Sequence, residues 1–367
     1  MKKSHFKLKP LLIFAIFLAL SLMGYFNLES AVINSRFTRL PHLQINWIVI
    51  AVILSIITVL YFEKAKITKL LIPGYVVSLS LLLLLLLFGE SWGGSRRWFS
   101  TPIGGFQPSE FVKPFIIIFY SYLYSHGVDS ARVSFVNFIL TLPIAILIIL
   151  EPDFGTGMVF VFTFLVYYSM AEKKKKRLFL FFTMMIILFL MIYSFGLKPY
   201  QKERITAFLD PSHNPDTYYH TQQSVTMVAS GGIYGKGYQR GLGNLYGYIP
   251  ADHTDFVLAV YAEEEGFLGM LVFFALWFSL FSINISLIRE KNGIKKWLSL
   301  GVFSIFFIQF TINVGMVLGL LPVTGLPLPF FTYGGSSTVS NAIMIGILLW
   351  SAMSDDKRLE VLSSRLH

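Results

Sequence analysis

Long hydrophobic runs separated by short polar segments dominate the chain, and ten of them meet or approach the length of a membrane-spanning helix. Such a helix needs about 20 mostly apolar residues. The pattern therefore predicts an all-α polytopic membrane protein with about ten transmembrane helices, folded as a single integral membrane domain over residues 1–367. The ten runs are Leu11–Phe26, Trp47–Phe62, Leu70–Phe88, Phe111–Tyr124, Val133–Leu150, Met158–Met170, Leu178–Phe195, Phe256–Ile288, Trp297–Leu318 and Thr338–Met353.

The composition agrees with a membrane protein. Hydrophobic residues make up 55% of the chain and charged residues only 14%, whereas a soluble domain carries roughly a quarter charged residues. The absence of cysteine excludes disulfides and thiolate metal sites. The net charge of +10 is explained better by basic cytoplasmic loops than by a nucleic-acid partner, and we expect none.

The distribution of basic residues orients the predicted helices. With the N-terminus inside, the inner loops and tails carry 20 of the 30 lysines and arginines, the outer loops carry 9, and Lys113 lies within a helix. This bias follows the positive-inside rule and places both termini in the cytoplasm. The run Lys173–Arg177 fits a topological anchor, with an anionic-lipid or nucleic-acid site as the alternative.

The long polar insertions all fall on the predicted outer side. The largest runs from about residue 196 to residue 254, between the seventh and eighth predicted helices; the others are Gly89–Gln107, Glu151–Gly157 and Gly319–Ser337. Long loops in a compact protein are usually functional. The insertions predict a site that faces the outside of the membrane.

Lys113 is the first candidate site residue, because an ionisable side chain within a spanning helix is costly and is by default a functional hypothesis. Glu110 precedes it by three residues and so shares its helix face. A buried ion pair with a purely structural role is the alternative.

Two further acidic segments are candidates. Glu151 and Asp153 flank Pro152 at the outer end of the fifth run, where carboxylates need a partner such as Lys113 or a cation. The alternative is a proline-induced helix break with solvated acids.

Asp255 follows Thr254, a good N-cap, so we expect Asp255 in the first turn of the eighth helix. The alternative to a functional role is that Asp255 only supports the helix start. We expect Glu263 and Glu265 to flank the Asp255 face and Glu264 to point away.

The stretch Leu321–Ser337 contains three prolines and predicts a re-entrant loop rather than a helix. Ser336 and Ser337 then follow two glycines at a helix start, where free backbone N–H groups can bind phosphate, although turn formation is the commoner reason for such a run. The chain lacks nucleotide-binding, zinc-protease and serine-hydrolase motifs, which argues against an ATP-driven pump.

Seven motifs in the outer segments occur together in a fixed order. They are GSRRWF (Gly94–Phe99), QPSEFVK (Gln107–Lys113), EPDFGTG (Glu151–Gly157), LKPYQKERITAFLDP (Leu197–Pro211), QSVTMVASGGIYGKG (Gln223–Gly237), HTDFVLAVYAEE (His253–Glu264) and PVTGLPLPFFTYGGSS (Pro322–Ser337). With these motifs the sequence resembles the SEDS family of bacterial cell-wall proteins, named for shape, elongation, division and sporulation. Some of the motifs resemble the elongation members more than the division members.

The resemblance implies a peptidoglycan glycosyltransferase of the bacterial cytoplasmic membrane. Its substrate would be lipid II, a disaccharide-peptide on undecaprenyl pyrophosphate, and its partner a class B penicillin-binding protein. Asp255 matches the family's essential aspartate, Glu110 and Lys113 its polar fourth-helix motif, and Glu151 its acid after the fifth helix. One departure is that Pro250 is followed by Ala251 where the family commonly has glutamate, with Asp252 next.

Bond formation with inversion needs a base for the acceptor hydroxyl and groups that hold the departing pyrophosphate. Asp255 is the candidate base. No ligand spacing establishes a divalent cation, which stays an open alternative. A lipid II flippase or another transporter, and a non-catalytic scaffold, are the competing hypotheses. The candidate phosphate or leaving-group contacts are Lys113, Arg96, Arg97, Lys202 and Arg204.

Overall fold

The computed structural model describes residues 5–33, 35, 37–64, 67–92, 95–101, 104–126, 130–151, 153–191, 199–210, 215–243 and 255–353. Twelve helices and three strands have their bounds within these residues. The helices are α1 (His5–Ala31), α2 (Leu40–Lys64), α3 (Thr68–Phe88), α4 (Pro108–His126), α5 (Ser130–Leu150), α6 (Phe154–Ala171), α7 (Lys175–Met191), α8 (Pro199–Leu209), α9 (Pro215–Ser230), α10 (Val257–Glu290), α11 (Gly293–Val317) and α12 (Gly335–Ala352). The strands are β1 (Glu90–Trp92), β2 (Ser95–Thr101) and β3 (Gly104–Phe106).

The mostly helical membrane fold is confirmed. Among the described helices, α1, α2, α3, α5, α10, α11 and α12 are long and apolar enough to cross a membrane, and α6 is apolar but shorter. The remaining two predicted runs coincide with α4, which carries Glu110 and Lys113, and with α7, which has 17 described residues. Polar residues and short length lower the apolar signal of these two helices.

The expectation of an all-α protein is wrong in one place. Strands β1, β2 and β3 form a small antiparallel sheet in that order, with Glu90 paired to Trp98 and Phe99 paired to Phe106. The rings of Phe99 and Phe106 stack across the strands at 6.5 Å between centroids. Strands of three residues are too short to give a clear alternating pattern, and cross-strand aromatic pairs stabilise them instead.

The large polar segment between α7 and α10 also contains regular structure. Helices α8 and α9 each begin at a proline, a residue favoured at the first helical position because its missing N–H has no partner there in any case. Residues 192–198, 211–214 and 244–254 of this segment lie outside the described residues.

Close packing of small residues joins the helices at the centre of the bundle. A Cβ on Gly346 of α12 would lie 2.5 Å from Cβ of Thr58 on α2, and one on Gly301 of α11 would lie 2.4 Å from the Tyr167 hydroxyl. Small residues are typical of helix interfaces in membranes because they let backbones approach. The opposite faces of α2 and α3 expose apolar residues such as Ile53 and Ile72, as lipid-facing helices do.

Helix α10 is broken at Gly266, where φ is 64° and ψ is −162°. The segment Gly231–Gly237, which we call the glycine turn, lies against this break. Lys236 and Gly237 donate their N–H groups to the carbonyls of Glu263 and Glu264 at 3.0 and 2.9 Å. The backbones are so close that a Cβ on Gly266 would lie 2.2 Å from the Gly235 nitrogen.

Gly266→Ala should therefore destabilise the protein far more than Gly293→Ala. Both glycines have positive φ, but a Cβ on Gly293 has open space around it. A side chain in such a sparsely populated backbone conformation costs about 1–3 kcal/mol, and overpacking adds about 1–3 kcal/mol at Gly266. Thermal unfolding in detergent measures the difference. Equal losses for the two variants would contradict the tight contact at the break.

Candidate active site

The proline-rich segment Leu321–Pro329 has no helical structure, as its prolines predicted. Asn313 of α11 donates from Nδ2 to the Leu326 carbonyl at 2.9 Å, and Leu328 N–H donates to the Thr332 hydroxyl at 2.9 Å. Phe330 follows with a φ of 67°, and its ring is held by Phe17, Trp277 and Phe306. The segment is thus a fixed element on which side chains from other helices can be placed.

Asp255 lies against this proline-rich segment. A Cβ on Gly325 would lie 3.4 Å from Oδ2 of Asp255, so the carboxylate occupies the space beside that glycine. The Nδ2 group of Asn313 donates to the Asp255 carbonyl at 3.1 Å as well as to Leu326. One amide therefore fixes both Asp255 and the segment it faces.

The expected position of Asp255 in the first helical turn is wrong. Phe256 is the N-cap and α10 begins at Val257, so Asp255 precedes the helix by two residues. Thr254, the expected cap, lies outside the described residues. Because the helix dipole acts mainly on the first turn, its effect on Asp255 is smaller than the sequence suggested.

Two other predicted motifs meet the same proline-rich segment. Arg204 of α8 donates from its guanidinium to the Val323 carbonyl at 3.3 Å. A Cβ on Gly155 of α6 would lie 3.2 Å from the Thr324 carbonyl oxygen and 2.9 Å from Cγ of Leu326. Residues Val323 to Leu326 are consequently in contact with the first turn of α6, with α8 and with the carboxylate of Asp255.

Glu110 and Lys113 form the predicted ion pair at the start of α4. Lys113 Nζ lies 2.6 Å from Oε1 of Glu110, and both side chains are completely buried. The hydroxyl of Ser340 on α12 donates to the Glu110 carbonyl at 2.7 Å. The pair is thus built into the α4–α12 contact.

Arg97 of β2 links the sheet to Asp153, at 3.7 Å from its Oδ1 atom. Asp153 also accepts from the Thr156 N–H at 3.1 Å as the N-cap of α6 and from Gln107 Nε2 at 3.3 Å. The alternative of freely solvated acids is therefore wrong for Asp153, which is 3% exposed.

Glu151 differs from its neighbours. It directly follows Leu150, the last residue of α5, and is buried. Neither of its carboxyl oxygens has a hydrogen-bond partner among the described residues. Burial raises the pKa of the Glu151 carboxyl to about 8; the nearby Asp153 carboxylate adds to the shift and Arg97 opposes it. Glu151 is therefore mainly protonated at neutral pH.

The remaining candidates are placed as follows. Ser336 accepts from the Gln107 N–H at 3.0 Å and donates to the Gly105 carbonyl at 3.3 Å, so it ties α12 to the sheet. Ser337 donates to the Gly334 carbonyl at 3.0 Å within its own helix start. Lys202 is half-buried on α8, and Arg96 lies in β2, with a side chain outside the described part.

The structure gives partners for two of the three adjacent acids, Glu263 and Glu264, which were expected to lie beside and away from the Asp255 face, respectively. Glu263 binds Lys236 Nζ at 2.5 Å and the N–H groups of Leu242 and Gly243 at 3.0 and 3.1 Å. Glu264 accepts from the Ser30 hydroxyl at 2.5 Å. These acids hold the loop after the glycine turn and the end of α1, and both are buried.

Sequence reasoning missed the contributions of Asn313, Gly155 and Gly325. The available signal for Asn313 was a polar amide within an otherwise apolar run, which requires a partner in the membrane. No comparable signal identified the two glycines, because their role depends on which segments meet. Among the described residues, no group of three or more His, Asp or Glu side chains is arranged to hold a metal ion.

Comparison with known proteins identifies the family. The FtsW/RodA/SpoVE profile, described as cell cycle protein, matches residues 9–357, and the chain belongs to this family, which confirms the resemblance drawn from its motifs.

Individual relatives agree with this assignment. The chain is 34% identical to a protein of Thiomicrospira cyclica named as a probable peptidoglycan glycosyltransferase FtsW, over 75% of this chain and 72% of the relative. It is 29% identical to the peptidoglycan glycosyltransferase MrdB of Escherichia coli K12, over 75% of each chain. Its fold matches a chain from a peptidoglycan synthase complex that coordinates polymerisation and crosslinking, with a TM-score of 0.76 and 27% identity over 93% of this chain and 96% of that one.

The raised pKa of Glu151 predicts a pH-dependent stability. The folded protein keeps the proton up to about pH 8, whereas the ordinary value is 4.5, so the free energy of unfolding falls as pH rises between these values. Glu151→Gln stays neutral throughout. Its thermal stability relative to wild type should therefore increase from pH 5 to pH 9, whereas exposed Glu203→Gln should show no such trend. If the difference in thermal stability between Glu151→Gln and wild type does not change with pH, Glu151 is ionised in the folded protein throughout this range.

Proposed function

We propose that the chain is a peptidoglycan glycosyltransferase that polymerises lipid II by inverting transfer, with Asp255 as the general base. The observation that carries the proposal is the position of the Asp255 carboxylate against Gly325, in a segment that Gly155 and Arg204 also contact. The names of the relatives support the reaction class.

The chemistry requires one proton acceptor and a stabilised leaving group. The acceptor 4-hydroxyl gives its proton to Asp255 and its oxygen forms the new bond at the anomeric carbon. The bond to the lipid pyrophosphate breaks, and the pyrophosphate leaves with the electron pair. Asp255 is half-buried and backed by the fixed proline-rich segment, which suits a base that must be held in position.

Cationic groups of α8 and of the sheet are candidates to bind the pyrophosphate, and Arg204 among them contacts the proline-rich segment. We assign this role to Arg204 and Lys202 of α8 and to Arg96 and Arg97 of the sheet, since charged donors stabilise departing phosphate. Ser336 and Ser337 could add hydroxyl or backbone donors after a local rearrangement.

Lys113 is committed to Glu110 and completely buried. The geometry therefore supports a role in holding Glu110 at the start of α4 better than direct contact with lipid II.

The cellular setting follows from the family and the charge pattern. We propose ten spans with both termini in the cytoplasm, a site on the outer side of the bacterial inner membrane, and the large loop of about residues 196–254 on that side. The motif resemblance favours the elongation member, RodA, and the likeness to a synthase complex supports a class B penicillin-binding protein as partner.

A transporter is the second candidate and would place its site near the bilayer midplane. The described candidates instead lie at helix ends: Asp255 before α10, Asp153 at the start of α6 and Glu110 in the first turn of α4. This placement favours a transferase. A scaffold without activity would not need a fixed carboxylate beside a glycine.

The proposed topology predicts opposite locations for two reporter fusions. A fusion at Lys174 should report the cytoplasm, since this residue belongs to the basic run between α6 and α7. A fusion at Asn214, which lies outside the described residues, should report the outer side. Paired cytoplasmic and periplasmic reporters at each position make the measurement, and both positions on one side would contradict ten spans.

The Lys113→Met variant should lose activity, but it also leaves Glu110 as a buried unpaired charge that can unfold the protein. The double variant Glu110→Gln/Lys113→Met removes both charges and should recover thermal stability. If the pair organises the reactive site, the double variant stays inactive in lipid II polymerisation. Recovery of activity together with stability would show that the pair is structural only.

Asp255→Asn should abolish polymerisation while the protein remains folded. The amide keeps the shape but cannot accept the proton, so the rate should fall by roughly 10²-fold or more. The measurement is glycan formation from pure lipid II by the detergent-purified chain, with and without its partner, at matched thermal stability. Glu203→Gln, an exposed acid on α8, is the control and should retain full activity.

Two outcomes would overturn this assignment. Near-normal polymer from Asp255→Asn would transfer the role to another acid, with Asp252 next, although it lies outside the described residues. Absence of polymer from wild type even with the partner, together with lipid II movement across liposomes, would establish the flippase instead.

A further inference from the structure

The glycine turn Gly231–Gly237 presents two large apolar side chains to its surroundings. Tyr234 is 82% exposed and Ile233 is 61% exposed. Turns that face water usually carry polar residues at the tip, and this turn has an aliphatic and an aromatic residue there instead.

The turn has a fixed position. Besides the contacts to Glu263 and Glu264 already described, Phe267 and Leu268 donate their N–H groups to the carbonyls of Gly232 and Ile233 at 2.9 and 3.1 Å. Four backbone hydrogen bonds therefore join the turn to both sides of the break at Gly266. Ile233 and Tyr234 therefore belong to a rigid element that lies against the break in α10.

Two contacts between α1 and α10 give the depth of this element. Lys9 binds Glu290 at 2.5 Å at one end, and Ser30 binds Glu264 at 2.5 Å at the other. The 21 helical steps from Lys9 to Ser30 correspond to about 32 Å. A hydrocarbon core is about 30 Å thick, so the turn lies level with one edge of that core.

The face of α10 beside the turn is apolar and exposed. Phe267 is 63% exposed and Leu268 45% exposed, and Leu271 and Val272 continue the surface on the next turn. These residues belong to a helix long and apolar enough to span a membrane. Ile233 and Tyr234 thus extend a lipid-facing surface beyond the point where the spanning part of α10 begins.

We propose that the glycine turn is an interfacial membrane anchor, with Ile233 in the acyl region and Tyr234 at the level of the lipid headgroups. Tyrosine suits this position because its ring is apolar and its hydroxyl can remain hydrated. The occupant is the bilayer itself, because the exposed residues continue the lipid-facing side of α10 at the depth where the hydrocarbon ends. The inference does not depend on the catalytic role of Asp255.

The absence of cysteine from the chain allows a direct test. Ile233→Cys and Tyr234→Cys are each spin-labelled in the full-length protein, reconstituted without a partner in nanodiscs of phosphatidylethanolamine and phosphatidylglycerol. The ratio of oxygen to water-soluble nickel-complex accessibility reports depth. Ile53→Cys on the exposed face of α2 is the lipid reference, and Glu203→Cys on α8 is the aqueous reference.

Labels at 233 and 234 should show a severalfold higher ratio than the label at 203, with 233 closer to the value at 53. Thermal unfolding of each labelled protein confirms that the exposed substitutions leave the fold intact. Ratios equal to that at 203 would overturn the proposal and indicate a water-facing turn available to a protein partner. A label at 234 as deep as that at 53 would also overturn it, since Tyr234 would then lie within the hydrocarbon.

Discussion

A helix inside a membrane cannot end without new partners for its backbone, because lipid offers no hydrogen bonds. Helix α10 meets this constraint at Gly266, where the N–H groups of Phe267 and Leu268 and the carbonyls of Glu263 and Glu264 all find partners in the glycine turn. Only glycine permits so close a backbone approach with positive φ. The carboxylates of Glu263 and Glu264 then bind the loop after the turn and α1. These contacts explain why Glu263 and Glu264 are adjacent in an apolar helix: their carboxylates stabilise the segments that pack against the break.

The break separates α10 into a spanning part and a short part that begins just after Asp255. The short part is buried from Val257 to Glu264 except at half-buried Tyr261, and Asn27 of α1 donates to the Val257 carbonyl at 2.6 Å. Asp255 is fixed at one end by Asn313 and the short part is fixed at the other by the glycine turn. A carboxylate on a rigid support, beside a proline-rich segment without helical hydrogen bonds, is positioned without being confined within a regular helix. This arrangement supports the proposal that Asp255 is the general base.

The sequence predicted the helices and the identity of the polar segments well, because apolar length and charge distribution are local properties of the chain. It also predicted the Glu110–Lys113 pair, since a spacing of three residues places both side chains on one helix face. It could not predict that Gly155 and Asp255 touch the same proline-rich segment, because that contact joins residues from distant parts of the chain. The sequence could not predict the partners of Glu263 for a related reason. Helical periodicity gives the face on which a side chain lies, but the break at Gly266 and the glycine turn determine what that face meets.

Charge balance connects the buried acids at the ends of α4, α5 and α6. The carboxyl groups of Glu110, Glu151 and Asp153 are accompanied by two described cations, Lys113 and Arg97, each next to one acid. The pairs Glu110–Lys113 and Asp153–Arg97 are each balanced, so an ionised Glu151 beside Asp153 and Arg97 would add an excess negative charge that is costly to bury. The proton on Glu151 removes that excess, in agreement with its raised pKa. A pyrophosphate substrate, which is itself strongly anionic, would meet less repulsion from a neutral Glu151 than from a carboxylate. On the proposed function, the protonated acid therefore favours the substrate that the arginines and lysines bind.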